Sequence, residues 1–142
     1  MTSLMQFGQA VLAAQPFSVL LSAQMRSFTS EQVELMIPIT EALLQQNNFV
    51  HGGVLSYAAD NALTFAGSSA LGEAVVTSEF KINYIRPAIG EFILARASVI
   101  HAGKTQAVCR CDVYVVKQAE ERLCAIAQGT IVRLSQPVAS HG

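Results

Sequence analysis

The sequence predicts an α+β fold in which one long helix lies against one antiparallel sheet. Three observations point there. The stretch from Asn47 to Ala70 is apolar and rich in alanine, without the alternation of a strand. Everything from Val76 onward reads as strands joined by short turns. A chain of 142 residues has the length of one domain that buries a substantial core. Residues 1–142 are therefore expected to form a single domain, with a short N-terminal helix at about 3–15 and the core at about 33–135.

Taken in order, Met1 to Ala14 is weakly apolar and is expected to be a helix stopped near Pro16. Its first positive side chain is Arg26, so it lacks the basic start of a signal peptide. Val33, Leu35, Ile37 and Ile39 alternate as one face of a strand, and Pro38, which cannot donate to a ladder, suggests an edge or irregular position. The long helix begins near His51, with Gly52 and Gly53 at its start and Gly67 and Gly72 bracketing its end. In the next strand Val76, Ser78, Phe80, Ile82 and Tyr84 share one face, with Thr77, Glu79, Lys81 and Asn83 on the other, and Pro87 ends it. Phe92 to Ala102 and Gln106 to Lys117 are joined by a compact turn at Ala102–Thr105. The polar run Gln118 to Glu121 leads into a last strand, Leu123 to Leu134. A strand, a helix and four successive strands give a layered α+β arrangement.

Composition narrows the partners. The chain is 51% hydrophobic and 13% charged, about half the charge that soluble domains usually carry, which predicts either a surface partly covered by further copies of itself, the favoured reading, or an unusually large exposed apolar area. Net charge is −1 without a Lys/Arg cluster, arguing against nucleic acid. No apolar run approaches the roughly 20 residues of a membrane span. Cys109, Cys111 and Cys124 are odd in number and lie in strand-like segments, which predicts buried thiols, no metal site and a reducing cytoplasm.

Chemistry concentrates around the long helix. Asp60 is the one formally charged residue between Glu41 and Glu73. A carboxylate in apolar surroundings costs several kcal/mol unless paired, hydrogen-bonded or opened to water, so Asp60 is the first candidate for catalysis. The alternative is an acid on a solvent-facing stripe, which its neighbours Tyr57, Ala58, Ala59, Asn61, Ala62 and Leu63 do not define. The second feature is His51-Gly52-Gly53, because the first N–H groups of a helix lack internal partners and suit an oxyanion. The plainer reading is a tight loop capped by His51. Helical spacing puts His51 and Asp60 on opposite faces and ~13 Å apart along the axis, so a shared reaction requires two chains across a two-fold axis.

The motifs Asn48-Phe49-Val50-His51-Gly52-Gly53, Asp60-Asn61, Asn83-Tyr84-Ile85-Arg86-Pro87-Ala88 and Ala127-Gln128-Gly129-Thr130, spread over about Val33 to Leu134, resemble those of the hotdog thioesterases of the phenylacetate-degradation (PaaI) type. The resemblance implies a long helix wrapped by an antiparallel sheet, edge-to-edge dimers that assemble into tetramers, and an acyl-CoA substrate hydrolysed without a cofactor. It makes Asp60 the nucleophile or the base that activates water, Gly53 N–H the oxyanion donor and His51 a group that positions the thioester. Thr77 would orient the attacking water, with Ser78 taking its place if the register is shifted by one. Gln45 and Asn48 stand where the family usually has Asn and Gly, and Gln45, Asn48, Gly52, Asn61 and Tyr84 are expected at the substrate. Arg86 and Lys104 are the expected cations for CoA phosphates. Arylacetyl and short to medium aliphatic esters both fit.

Two other readings compete. A hydratase or dehydratase of the same fold would use a catalytic His in a different loop, followed by Pro-rich sequence, whereas this chain continues His-Gly-Gly-Val. A non-catalytic acyl-CoA-binding module would be marked by loss of the helix acid, and Asp60 is present. Gly103-Lys104-Thr105 imitates the end of a phosphate loop, but Ser98 stands where its first Gly belongs and a strand precedes it. Ser56 and Ser69 lack a nucleophile-elbow setting. His101 and His141 read as surface residues.

Overall fold

The computed structural model describes residues 3–72 and 74–135; His141 lies outside them. Helix α1 (Leu4–Ala14) starts on a capping box in which Ser3 and Gln6 exchange side-chain and backbone hydrogen bonds. Pro16 does more than stop it. It opens a second short helix, α2 (Pro16–Leu20), because proline at the first helical position has the right φ and gives up an N–H that has no partner anyway. The strands are β1 (Gln24–Phe28), β2 (Val33–Pro38), β3 (Val75–Tyr84), β4 (Phe92–Ala102), β5 (Gln106–Lys117) and β6 (Glu120–Arg133), with α3 (Gly52–Leu71) between β2 and β3. They form one antiparallel sheet in the order β1-β2-β4-β5-β6-β3.

Several sequence expectations are corrected. Strand β1 is additional, and hard to see because a bulge between Met25 and Ser27 puts the buried residues Met25 and Phe28 out of simple alternation. Strand β2 is accordingly interior, yet Pro38 is accommodated: β1 reaches only as far as Met36, so the missing N–H faces no neighbouring strand on that side. The β5–β6 turn is tighter than expected, with Gln118 and Ala119 both at positive φ (52° and 63°), a conformation usually signalled by Asn-Gly.

The core lies between α3 and the sheet. Leu55, Ala58, Ala59, Ala62, Leu63 and Ala66 are buried on the helix, facing Leu35, Ile37, Ile93, Ala95, Val113 and Ile131. Small alanines bring the helix close to the sheet, and each large aliphatic side chain withdrawn from water contributes about 1.5–3 kcal/mol. Cys109, Cys111 and Cys124 are free thiols within this core. Gly72, at φ 103°, ends α3. Gly67 does not: it is buried inside the helix, where a Cβ would stand 2.6 Å from Ile131 Cβ on β6. Gly67→Ala is therefore expected to lower stability in urea denaturation by about 1–2 kcal/mol, the clash outweighing a helix-propensity gain of about 1 kcal/mol.

Candidate active site

Helix α3 begins at a small closed loop. His51 N–H donates to Leu43 O at 2.9 Å, Leu44 bridges Val50, and Val50 N–H donates to Ala88 O at 3.0 Å. At the loop tip Asn48 adopts φ 68°, the left-handed conformation that Asn tolerates. The Gln45 side-chain oxygen accepts from Asn47 N–H, and the Asn48 N–H donates to Gln45 O. Gln45 and Asn48 thus shape the loop, and their hydrogen bonds stay within it.

His51 caps the helix: its Nδ1 accepts from Gly53 N–H at 2.8 Å. Nδ1 must be unprotonated to do so. The expected oxyanion donor is therefore occupied by the side chain expected to position the substrate. On the sheet side, Tyr84 donates to Gly52 O at 3.2 Å and pairs with Ser56 Oγ at 2.5 Å, tying the end of β3 to the first turns of α3.

Asp60 lies on a half-buried polar stripe comprising Ser56, Tyr57, Asp60, Asn61 and Thr64, between the apolar positions that face the sheet. Positions three and four apart define this stripe, which immediate neighbours in sequence do not reveal. His51 precedes the helix as its N-cap, so the helical repeat applies from Gly52 onward. Gly53 is on the same face as Asp60, two turns and ~10.5 Å away along the axis. That separation still prevents both from reaching one atom within a chain.

Thr77 Oγ1 donates to Asp60 Oδ1 at 2.7 Å and lies 2.8 Å from Thr64 Oγ1, which is also 2.8 Å from Asp60 O. Each hydroxyl has one proton. With that of Thr77 given to the carboxylate, Thr64 donates either to Thr77 or to the Asp60 carbonyl. Thr77 reaches the helix because of a bulge between Thr77 and Glu79 that shifts the strand's alternation, so that Val75 and Thr77 share the inner face with Phe80 and Ile82. The expected facing of this strand is thus corrected, with Thr77 inward and Ser78 exposed. Thr64, one turn beyond Asp60, was missed, although its spacing offered a signal.

Asn61 points elsewhere than expected. Its amide donates to Tyr57 Oη at 3.1 Å and Gln15 Oε1 at 3.3 Å, and Ser18 Oγ lies 2.5 Å from both of those oxygens. This cluster fixes α2 to the helix. Arg86 is exposed just past β3, beside a cavity lined by Phe49, Tyr84, Ile85 and Pro87. Lys104, in the β4–β5 turn, lies by the Val75 end of β3, a strand length of roughly 30 Å from the helix start. Among the described residues no three His, Cys, Asp or Glu are grouped as metal ligands, and no helix is long and apolar enough to cross a membrane.

Residues 47–122 match the thioesterase superfamily. The chain belongs to that superfamily. A thioesterase family protein from Silicibacter pomeroyi is 35% identical and superposes with a TM-score of 0.86, over 93% of this chain and 98% of that one. The acyl-coenzyme A thioesterase PaaI of Escherichia coli K12 is 33% identical over 97 residues, 68% of this chain and 66% of that protein. The solved E. coli PaaI structure, from the phenylacetic acid degradation operon, superposes with a TM-score of 0.78 at 22% identity, over 94% of this chain and 97% of that one. The fold of this superfamily member is the hotdog arrangement, and its enzyme class is thioester hydrolase.

Proposed function

We propose that this thioesterase hydrolyses acyl-CoA esters at sites shared between two copies of the chain, Asp60 of one acting with the start of α3 of the other. The observation that carries this reading is Asp60 itself, a half-buried carboxylate whose Oδ1 is held by Thr77, while Oδ2 has no hydrogen-bond partner among the described residues and suits water or the thioester carbon. As base, Asp60 takes a proton from water as oxygen attacks the carbonyl. Collapse breaks the C–S bond, and the thiolate of CoA recovers that proton. As nucleophile, the carboxylate attacks the thioester carbon and expels the thiolate of CoA, breaking the C–S bond and leaving an anhydride; water then hydrolyses the anhydride, and the proton it releases goes to the thiolate. Either way negative charge develops on the carbonyl oxygen, where Gly53 N–H would stabilise it by ~3 kcal/mol. His51 must turn aside first, which frees its imidazole for the thioester.

The feature that supports a dimer is β3, an edge strand with exposed Val76 and Tyr84. Asp60 is tied to Thr77 near one end of it, and Gly52 to Tyr84 at the other. Antiparallel pairing of two β3 strands about a two-fold axis midway between Thr77 and Tyr84 would bring Asp60 of each chain beside the helix start of its partner. A dimer of such dimers would cover further apolar surface. The buried free thiols accord with a reducing cytoplasm.

A series of acyl-CoA esters, aliphatic and arylacetyl, followed with a thiol reagent tests the reaction. Burial pushes the Cys109 and Cys124 thiols up to about 11 and raises Cys111 further, so the reagent reports released CoA. Failure of every ester to react faster than in buffer would overturn the reading. Arg86→Ala is expected to raise KM for CoA esters with little change in kcat, and to leave hydrolysis of an acyl-N-acetylcysteamine unchanged. Equal losses on both substrates would mean that Arg86 supports structure instead of binding phosphate.

A further inference from the structure

Two cavities flank the start of α3, and their walls differ. The one beside Arg86 has a volume of about 290 Å³. The other, of about 490 Å³, opens onto His51 and Gly53 and is walled by Phe17, Leu20, Leu21, Leu43, Leu44 and Val54, without a charged side chain. We infer that this second cavity receives the acyl group and that α2, through Phe17 and Leu20, sets which acyl groups fit. The inference rests on the acyl-CoA reading above.

The lining chemistry selects the occupant. A volume of about 490 Å³ lies within the range of small-molecule pockets, and an apolar wall next to one candidate oxyanion donor suits a medium-length aliphatic chain whose carbonyl rests at Gly53. CoA, with its phosphates, is directed the other way, toward Arg86. Phe17 and Leu20 are 54% and 75% exposed, an unfavourable state for side chains of this size unless something covers them. Their helix is also held in place. Ser18 is 1% exposed and bonded to Gln15 and Tyr57, Asn61 joins the same cluster, and the Phe17 ring meets Tyr57 edge-on at 5.1 Å. A part-buried hydrogen-bonded network of this kind, centred on the buried Ser18, favours one geometry. Of the named wall residues, all but Val54 precede residues 47–122, the part matched to the superfamily.

The chain contains no tryptophan, which makes Phe17→Trp a single reporter of the cavity. Decanoate should change its emission saturably, and coenzyme A alone should not. Phe17→Ala should lower kcat/KM for decanoyl-CoA about tenfold more than for acetyl-CoA, since the longer chain makes the larger contact with that ring. Phe17→Leu should restore most of the loss. Equal losses on both esters, or an emission blind to decanoate, would overturn the acyl pocket even in an active enzyme. Saturable decanoate binding by a protein that hydrolyses no CoA ester would sink the proposed reaction and leave the pocket standing.

Discussion

Asp60→Asn is expected to lower kcat by a thousandfold or more, about 4 kcal/mol of barrier, with folding unchanged. The amide is nearly isosteric, and its oxygen can still accept the Thr77 proton now given to Oδ1 at 2.7 Å, so the link between α3 and β3 survives. What is lost is a group able to take a proton from water or to attack the carbonyl carbon. Thr77→Val separates position from chemistry. It removes the hydroxyl that orients Oδ1 but keeps the carboxylate, and a smaller loss is expected, on the order of tenfold. Circular dichroism and the melting midpoint check the fold of each variant. An Asp60→Asn enzyme retaining more than about a tenth of wild-type turnover, less than ~1.4 kcal/mol of barrier, would show that the carboxylate is not the reacting group.

How much of this was legible depended on whether the pattern was local. The α3 start, β4 and β5 follow from periodicity and turn residues, and the observed bounds agree. Strand β1 and the inward side of β3 were misread for one shared reason. A bulge adds a residue to one strand, and the side-chain period then shifts by one without any mark in composition. Gly67 looked like a helix stop because its tight approach to Ile131 depends on a strand more than sixty positions away. At the site, Asp60 stood out as a lone charge in an apolar helix, and Thr77 came from the family resemblance. The Gly53–His51 bond and the Asn61–Gln15 contact depend on rotamers and on the docking of α2, which no spacing rule conveys.

Mixing two inactive variants is expected to regenerate activity. Gly53 and Asp60 of one chain are ~10.5 Å apart along α3, too far to serve one carbonyl, while Thr77 and Tyr84 connect them to opposite ends of an edge strand. In an isologous pair each site then takes its carboxylate from one chain and its N–H donor from the other. Asp60→Asn damages both sites of its own homodimer, and so does Gly53→Pro, which removes the N–H at a first-turn position. In the heterodimer both defects fall in one site and the other is intact. Random exchange makes half of the dimers mixed, each with one working site, so recovery should approach about a quarter of wild-type activity. Subunit exchange is verified by native mass spectrometry, and light scattering should show a dimer or larger assembly before mixing. No recovery after verified exchange would mean that each site is built within a single chain, and that β3 pairing has no part in catalysis.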